Sequence, residues 1–315
     1  MPEGPEVRKY ADALHTALAG RLITSLEART REARAWLKDN ESRVTGRRVE
    51  RVVSHGKHLL GYINGDFYFH SHLMMWGRWQ TFGPTGSSKR KARKSVPELT
   101  LPEKDRRERA RVVVKGGAAI LLSAPIFNIG EGDPYNQIEN LSSLGPDVLP
   151  YDKSFDGEEF RRRLYLPAHH DVPIGAALLN QRIVAGLGNY LRAEVLFSCK
   201  LDPWQKVIDI TERDLKCLTR TIPRLARSAY EQGRTASEKD QLRMIADPSL
   251  VYQPGREYGT RHTVFRRTNL PCLNCGRKIR QLRQKTFNPD AQDDEEERSR
   301  IVYFCAKCQN VSVDV

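Results

Sequence analysis

No stretch of this sequence is apolar for long enough to cross a membrane. Its first residues also lack the charged-then-apolar order of a secretory signal. Both absences argue against a membrane-embedded or exported protein. They point to the cell interior, the cytoplasm and nucleoid or, in a eukaryote, the nucleus. Cysteine is scarce, with six among 315 residues and none before Cys199. A disulfide-built scaffold is thereby excluded, and reduced thiols are expected except where they bind metal. Acidic residues are outnumbered, 39 Asp+Glu against 52 Lys+Arg, which leaves a net charge of +13. That excess calls for a polyanionic partner, with nucleic acid ahead of an anionic membrane surface.

What is present begins at the chain start. Met1-Pro2-Glu3-Gly4-Pro5-Glu6 places a proline after the initiator methionine, so removing Met1 would expose a secondary amine on Pro2. An α-amine titrates at about pH 7.7–8.0, which leaves a nucleophilic fraction near neutrality. Gly4-Pro5-Glu6 suits a helix entry. Val7, Tyr10, Ala11, Leu14 and Leu18 follow at helical spacing, so a buried face could hold the terminus in place. On these residues alone, an ordinary frayed terminus ahead of a helix is the default.

Residues 20–123 read mostly as strands and turns, with Asn64-Gly65 and Gly116-Gly117 as hairpin turns. The natural reading is a β-sandwich or barrel-like half. A basic stretch at 87–94 and an acidic one at 290–298 read as solvated loops. Glycine and proline between 130 and 152 mark a linker, after which helical patterns occupy roughly 155–164, 174–180, 189–198 and 211–232. Residues 233–261 read as a polar loop. The expected class is therefore α+β and multi-domain. A catalytic N-terminal sandwich spans 1–130, a linker 131–152, a helical DNA-binding domain 153–261, and a metal-bound finger 262–315.

Three clusters carry chemistry. Cys272-Leu273-Asn274-Cys275 and Cys305-Ala306-Lys307-Cys308 are two Cys-x-x-Cys knuckles with the internal spacing of a tetrahedral, structural zinc site. Cys199 and Cys217 stand apart and read as buried small hydrophobes. Ala185-Gly186-Leu187-Gly188-Asn189-Tyr190 reads as a turn between two helices. Backbone N–H groups there, with the Asn189 amide, could seat a phosphate, although such a turn is also common simply as packing. His55-Gly56-Lys57 places Lys57 at the mouth of a strand. Met74-Met75-Trp76 is an apolar tip that could wedge between bases, although core is the default for such a run.

Taken together these stretches resemble the formamidopyrimidine-DNA glycosylase/endonuclease VIII family along essentially the whole length, most closely its endonuclease VIII side. The segments that carry the resemblance are Pro2 to Glu6, His55-Gly56-Lys57, Gly145-Pro146-Asp147-Val148-Leu149, Ala185 to Tyr190, and Arg300 to Gln309. The resemblance implies an N-terminal β-sandwich and a helix–two-turn–helix domain with a zinc finger, acting as a monomer on damaged DNA. It implies that the Pro2 nitrogen attacks C1′ to form an iminium. Glu3 would exchange protons with the sugar, and Glu6 would assist. Lys57, Asn189 and Arg300 would hold the phosphates during β,δ-elimination. Met74, Met75 and Trp76 would be the wedge, and Zn2+ held by Cys272, Cys275, Cys305 and Cys308 would be structural. Ser123-Ala124-Pro125-Ile126-Phe127-Asn128 lacks the arginine of purine-acting members, which tilts the expected lesion toward oxidised pyrimidines. A purine-acting glycosylase and a non-catalytic DNA binder are the alternatives.

Overall fold

The computed structural model describes residues 2–83, 100–252, 259–287 and 299–311. The stretches 87–94 and 290–298, read above as solvated loops, lie outside the described residues. The chain divides into two compact units, Met1–Pro2 with Glu6–Ser143 and Glu3–Pro5 with Leu144–Val315.

In the first unit, helix α1 (Gly4–Leu18) buries Val7, Ala11, Leu14 and Leu18 on one face, as their spacing predicts. Eight strands follow: β1 (Ile23–Ala28), β2 (Val49–His55), β3 (His58–Ile63), β4 (Phe67–His72), β5 (Arg78–Phe82), β6 (Glu108–Val114), β7 (Gly117–Leu122) and β8 (Ile126–Glu131). They form two four-stranded antiparallel sheets, ordered β1-β6-β7-β5 and β2-β3-β4-β8. Asn64-Gly65 lies in the turn between β3 and β4, and β6 turns into β7 through Lys115 and Gly116, pairing Val114 with Gly117. One continuous core draws Leu26 and Val112 from the first sheet and Leu59, Phe69 and Phe127 from the second. Each fully buried leucine or phenylalanine contributes about 1.5–3 kcal/mol. Gly61 makes room for this core, because a Cβ there would lie 2.0 Å from the Phe69 ring.

One element departs from the strands and turns read over most of 20–123. Helix α2 (Arg31–Val44) buries Ala33, Leu37 and Val44 against the same core, with Trp36 packed beside them. Its helical apolar spacing is diluted by charge, so the pattern is weak in the sequence. A one-turn helix α3 (Pro134–Gln137), capped by the Asp133 carboxylate, follows β8.

In the second unit, α4 (Gly157–Leu164) starts on the Asp156 cap, and α7 (Glu212–Gln232) on a Thr211/Asp214 capping box. The short α5 (Ile174–Ala177) and the longer α6 (Asn189–Cys199) flank the Gly186-Leu187-Gly188 turn. Residues of the expected linker are paired rather than loose. Gly145 N–H donates to the Gln181 carbonyl, and Val148 and Pro146 pair with Ala185. Helix α8 (Glu238–Ala246) occupies part of the stretch read as a loop; Ser237 caps it and Met244 buries it. Hairpin β9 (Arg280–Lys285) and β10 (Ser299–Phe304) carries the second knuckle at its end. Cys199 and Cys217 are not separate buried thiols, as their isolation in sequence suggested. They are joined in a disulfide that ties the end of α6 to α7.

Candidate functional site

In the second unit Glu3 is 2% exposed and is the most heavily bonded acidic group of the chain start. Its carboxylate accepts the backbone N–H of Gly188 at 2.9 Å, of Tyr190 at 2.8 Å and of Leu191 at 3.2 Å. These N–H groups belong to the cap and first turn of α6, where no preceding helical carbonyl is in reach and the helix dipole also favours a negative charge. Glycine at 188 is required, since a Cβ would sit 2.5 Å from the Glu3 carboxyl carbon. Gly4 completes the anchor by donating to the Gly186 carbonyl at 2.8 Å. The sequence reading assigned these helix-start amides to a phosphate; the structure gives them to Glu3 instead. Of that seat, the Asn189 side chain remains.

Asn189 is oriented from behind. Arg192, one turn along α6, donates from Nη2 to Asn189 Oδ1 at 2.6 Å and to the Ile301 carbonyl at 2.8 Å. Arg300, the residue before Ile301, is exposed on β10 and pairs in register with Gln284.

The four knuckle cysteines converge, their sulfurs all within 4.8 Å of one another, with Cys272–Cys308 at 3.8 Å and Cys275–Cys305 at 3.4 Å. A tetrahedron of about 2.3 Å metal–sulfur bonds has edges of about 3.8 Å, so the cluster fits a metal ion. Burial pushes the Cys305 thiol up to about 11 and the Cys308 thiol higher. A bound dication would displace the thiol protons and neutralise the resulting thiolates. The Gln309 side chain accepts from Cys305 N–H and donates to the Leu201 carbonyl, which seats the knuckle on the helical core.

In the first unit, Pro2 is half-buried just ahead of α1, and Glu6 is half-buried in its first turn. Lys57 occupies the two-residue turn between β2 and β3, which the His55–His58 pair closes, and is 9% exposed. Gly56 takes φ of 57° in that turn, a conformation glycine tolerates and most residues do not.

The Met74-Met75-Trp76 stretch is displayed rather than buried, against the core default. Met74, Met75 and Trp76 are 42%, 52% and 77% exposed, with Met74 in the left-handed region at φ 51°. A bond from Gly77 N–H to the Leu73 carbonyl closes the turn, and Met74 N–H donates to His72 Nδ1 at 3.2 Å.

Next to the turn lies a cluster of three histidines. His58 and His70 stack with ring nitrogens 3.0 Å apart, and His72 packs edge-on against His58. Burial first, then neighbouring positive charge, lowers His58 to about 2, His70 to about 3 and His72 to about 4. All three are neutral at physiological pH. Alternate placement of His58, His70 and His72 along paired strands was the available signal. Arg192 was also missed, and its signal was an arginine in the mostly apolar run from Tyr190 to Phe197, which it shares with Glu194.

Comparison with known proteins follows this geometry. Residues 1–119 match the formamidopyrimidine-DNA glycosylase N-terminal domain, and residues 144–241 match the formamidopyrimidine-DNA glycosylase H2TH domain. Endonuclease 8 of Salmonella arizonae is 30% identical over 310 residues, covering 98% of this chain and all of that protein. Endonuclease 8 of Pectobacterium atrosepticum is 30% identical over 317 residues, with the same coverage. Lactococcus lactis Fpg, solved with N7-benzyl-Fapy-dG DNA and with oxidised-pyrimidine DNA, superposes at a TM-score of 0.70 and 22% identity. The match covers 98% of this chain and 99% of that one. Among the described residues no helix is long and apolar enough to cross a membrane.

Proposed function

Because the chain belongs to the formamidopyrimidine-DNA glycosylase and endonuclease 8 family, we propose that it excises oxidised pyrimidines from DNA through a covalent intermediate on Pro2. The chain is a DNA glycosylase and AP lyase of base excision repair. The finer reading rests above all on Glu3. A carboxylate locked by three backbone N–H groups cannot drift, and it is bonded through the chain to the nitrogen that would react. With Met1 removed, the Pro2 secondary amine attacks C1′ and the base departs, leaving an iminium. Glu3 exchanges a proton with the sugar ring oxygen as the ring opens. The iminium acidifies the adjacent C2′ proton, and loss of that proton expels the 3′ phosphate; a second elimination expels the 5′ phosphate. Glu6 assists from the first turn of α1. Lys57, Asn189 and Arg300 hold the flanking phosphates and offset the charge that develops on them.

Two features support the pyrimidine assignment. The exposed Met74-Met75-Trp76 turn supplies an apolar, three-residue filler for the space an extruded base leaves. Ser123 to Asn128 contains no arginine to serve as a purine-type wedge. We assign Zn2+ to Cys272, Cys275, Cys305 and Cys308, where it neutralises the thiolates and folds the finger.

The test is parallel single-turnover excision on duplexes carrying thymine glycol, 8-oxoguanine or a preformed abasic site. The proposal expects all three to be nicked and thymine glycol to be processed faster than 8-oxoguanine. Faster 8-oxoguanine release would overturn the lesion assignment, and binding without nicking of the abasic duplex would overturn the lyase chemistry.

A further inference from the structure

Every residue of α6 from Tyr190 to Phe197 is buried, yet the helix includes an arginine that is 1% exposed. Among the described residues the Arg192 guanidinium hydrogen-bonds only to neutral acceptors. Besides Asn189 Oδ1 and the Ile301 carbonyl, it reaches the Gly175 carbonyl and Gln284 Oε1, each at 3.3 Å. Its Nε is a buried atom with no partner among the described residues. Burial draws it down to about 10, partly offset by the Glu3 charge, so it stays protonated at neutral pH.

For stability alone this is a poor choice. Burying a charge on neutral acceptors with one donor unmatched is costly, and an apolar side chain of similar volume would pack without that cost. What the arginine does provide is orientation. A guanidinium only donates, so the atom of Asn189 facing it must be Oδ1. Both N–H bonds of the Asn189 amide are then turned away and available to an acceptor. The same Nη2 holds the backbone carbonyl of Ile301, next to Arg300. Gln284, the register partner of Arg300, touches Nη1 and is itself tied to the Pro203 carbonyl.

We propose that Arg192 is a positioning residue that presets two phosphate grips at once, the Asn189 amide on α6 and Arg300 on β10, without touching DNA itself. The proposal rests on the reading of Asn189 and Arg300 as phosphate contacts.

A binding cycle on the full, zinc-loaded chain tests it. The probe is a duplex with a tetrahydrofuran abasic analogue, titrated over a range of KCl. The variants are Arg192→Met, Asn189→Ala, Arg300→Ala, the double Asn189→Ala/Arg300→Ala, and the triple. Zinc content and Tm are recorded for each. Arg192→Met is expected to weaken binding about tenfold to a hundredfold, the range for hydrogen bonds to a charged group. The slope of log K against log salt should fall by about one contact, as it would if Arg300 were lost. In the Asn189→Ala/Arg300→Ala background the same substitution should have no further effect. On a natural abasic duplex at saturating DNA, Arg192→Met should slow nicking by no more than Asn189→Ala/Arg300→Ala does, and should slow that double variant no further, because the same two groups offset the charge on the departing phosphates. Equal, additive losses in both backgrounds would overturn the proposal, because a merely structural arginine behaves that way. Should Arg192→Met not fold, Arg192→Lys decides by the same cycle, since it keeps the charge but cannot span both acceptors. Wild-type affinity in both Asn189→Ala and Arg300→Ala would refute the underlying phosphate assignment instead.

Discussion

The chain start and the Met74–Trp76 turn are both short, tip-like segments, and the protein treats them in opposite ways. Glu3 is almost wholly buried and its carboxylate is held by three backbone amides of another element. Trp76 is 77% exposed, at the end of a turn that a bond from Gly77 to Leu73 closes. Backbone donors cannot rotate away, so the carboxylate proposed as the acid–base group is held in place by the fold itself. The turn forgoes apolar burial and keeps three large side chains available to whatever it meets. An exposed apolar patch on an otherwise well-packed unit marks a contact surface. The contrast separates a group that must be in place from groups that must be free to enter something else.

The contrast breaks most sharply at Glu3. Glu3→Gln keeps the shape but places an N–H2 group among three N–H donors. Base excision should fall by about 10²–10⁴-fold, the usual scale for losing a positioned proton-transfer group, as read in single-turnover assays. An activity within twofold of wild type would mean the carboxylate is only structural.

The far end of the same helix sharpens the comparison. Cys199 closes a loop to Cys217 with a sequence separation of 18, and Cys199→Ser should destabilise by about 3 kcal/mol under oxidising conditions on loop-entropy grounds. Denaturant titration with and without a reducing agent measures this. The excision rate should not change, because the Glu3 donors lie at the opposite end of α6.

At the displayed tip, Trp76→Ala should weaken binding to lesion-containing duplex by about 1–3 kcal/mol, the scale of aromatic stacking on a base. Tm should stay within a degree or two, since little burial is lost. Competition binding against undamaged duplex checks it, and a large fall in Tm would place the indole in the fold instead.

The last effect concerns acid and is nearly absent at neutral pH. Burial holds His58, His70 and His72 far below their usual range. Above about pH 6.5 they are neutral in both folded and unfolded chains and stability does not depend on them. Below it the unfolded chain binds protons that the folded one refuses, so stability falls as pH falls, down to about 4 where His72 begins to titrate in place. At pH 6 the loss is about 0.8 kcal/mol per histidine and grows by about 1.4 kcal/mol per further unit. Denaturant titration between pH 7.5 and 5 should show this slope. His72→Asn, which keeps an acceptor for Met74 N–H but cannot be protonated, should make it shallower. An unchanged slope would remove the cluster from the account.

Much of this was legible before the fold was known, because it is written in local spacing. The α1 face, the Asn64-Gly65 turn and the two cysteine knuckles each need only residues a few positions apart. The helix α2 was not read, since Ala33, Leu37 and Val44 are separated by nine mostly charged or polar residues. Two larger misses are long-range. Glu3 and the Gly188–Leu191 amides are nearly two hundred residues apart, and no spacing rule joins them. The same holds for Arg192 and Ile301. Sequence reasoning correctly expected an anion at the start of α6, because helix starts attract one, but named phosphate where the chain supplies its own carboxylate.

The central claim is that Pro2 is the nucleophile, and borohydride trapping tests it most directly. The protein, shown by mass spectrometry to begin at Pro2, is incubated with a duplex containing an abasic site, reduced, and digested. The account predicts a covalent DNA–protein complex whose adduct maps to the Pro2 nitrogen, and none from a preparation that retains Met1. An adduct mapping to a lysine such as Lys57, or full trapping with Met1 in place, would contradict it.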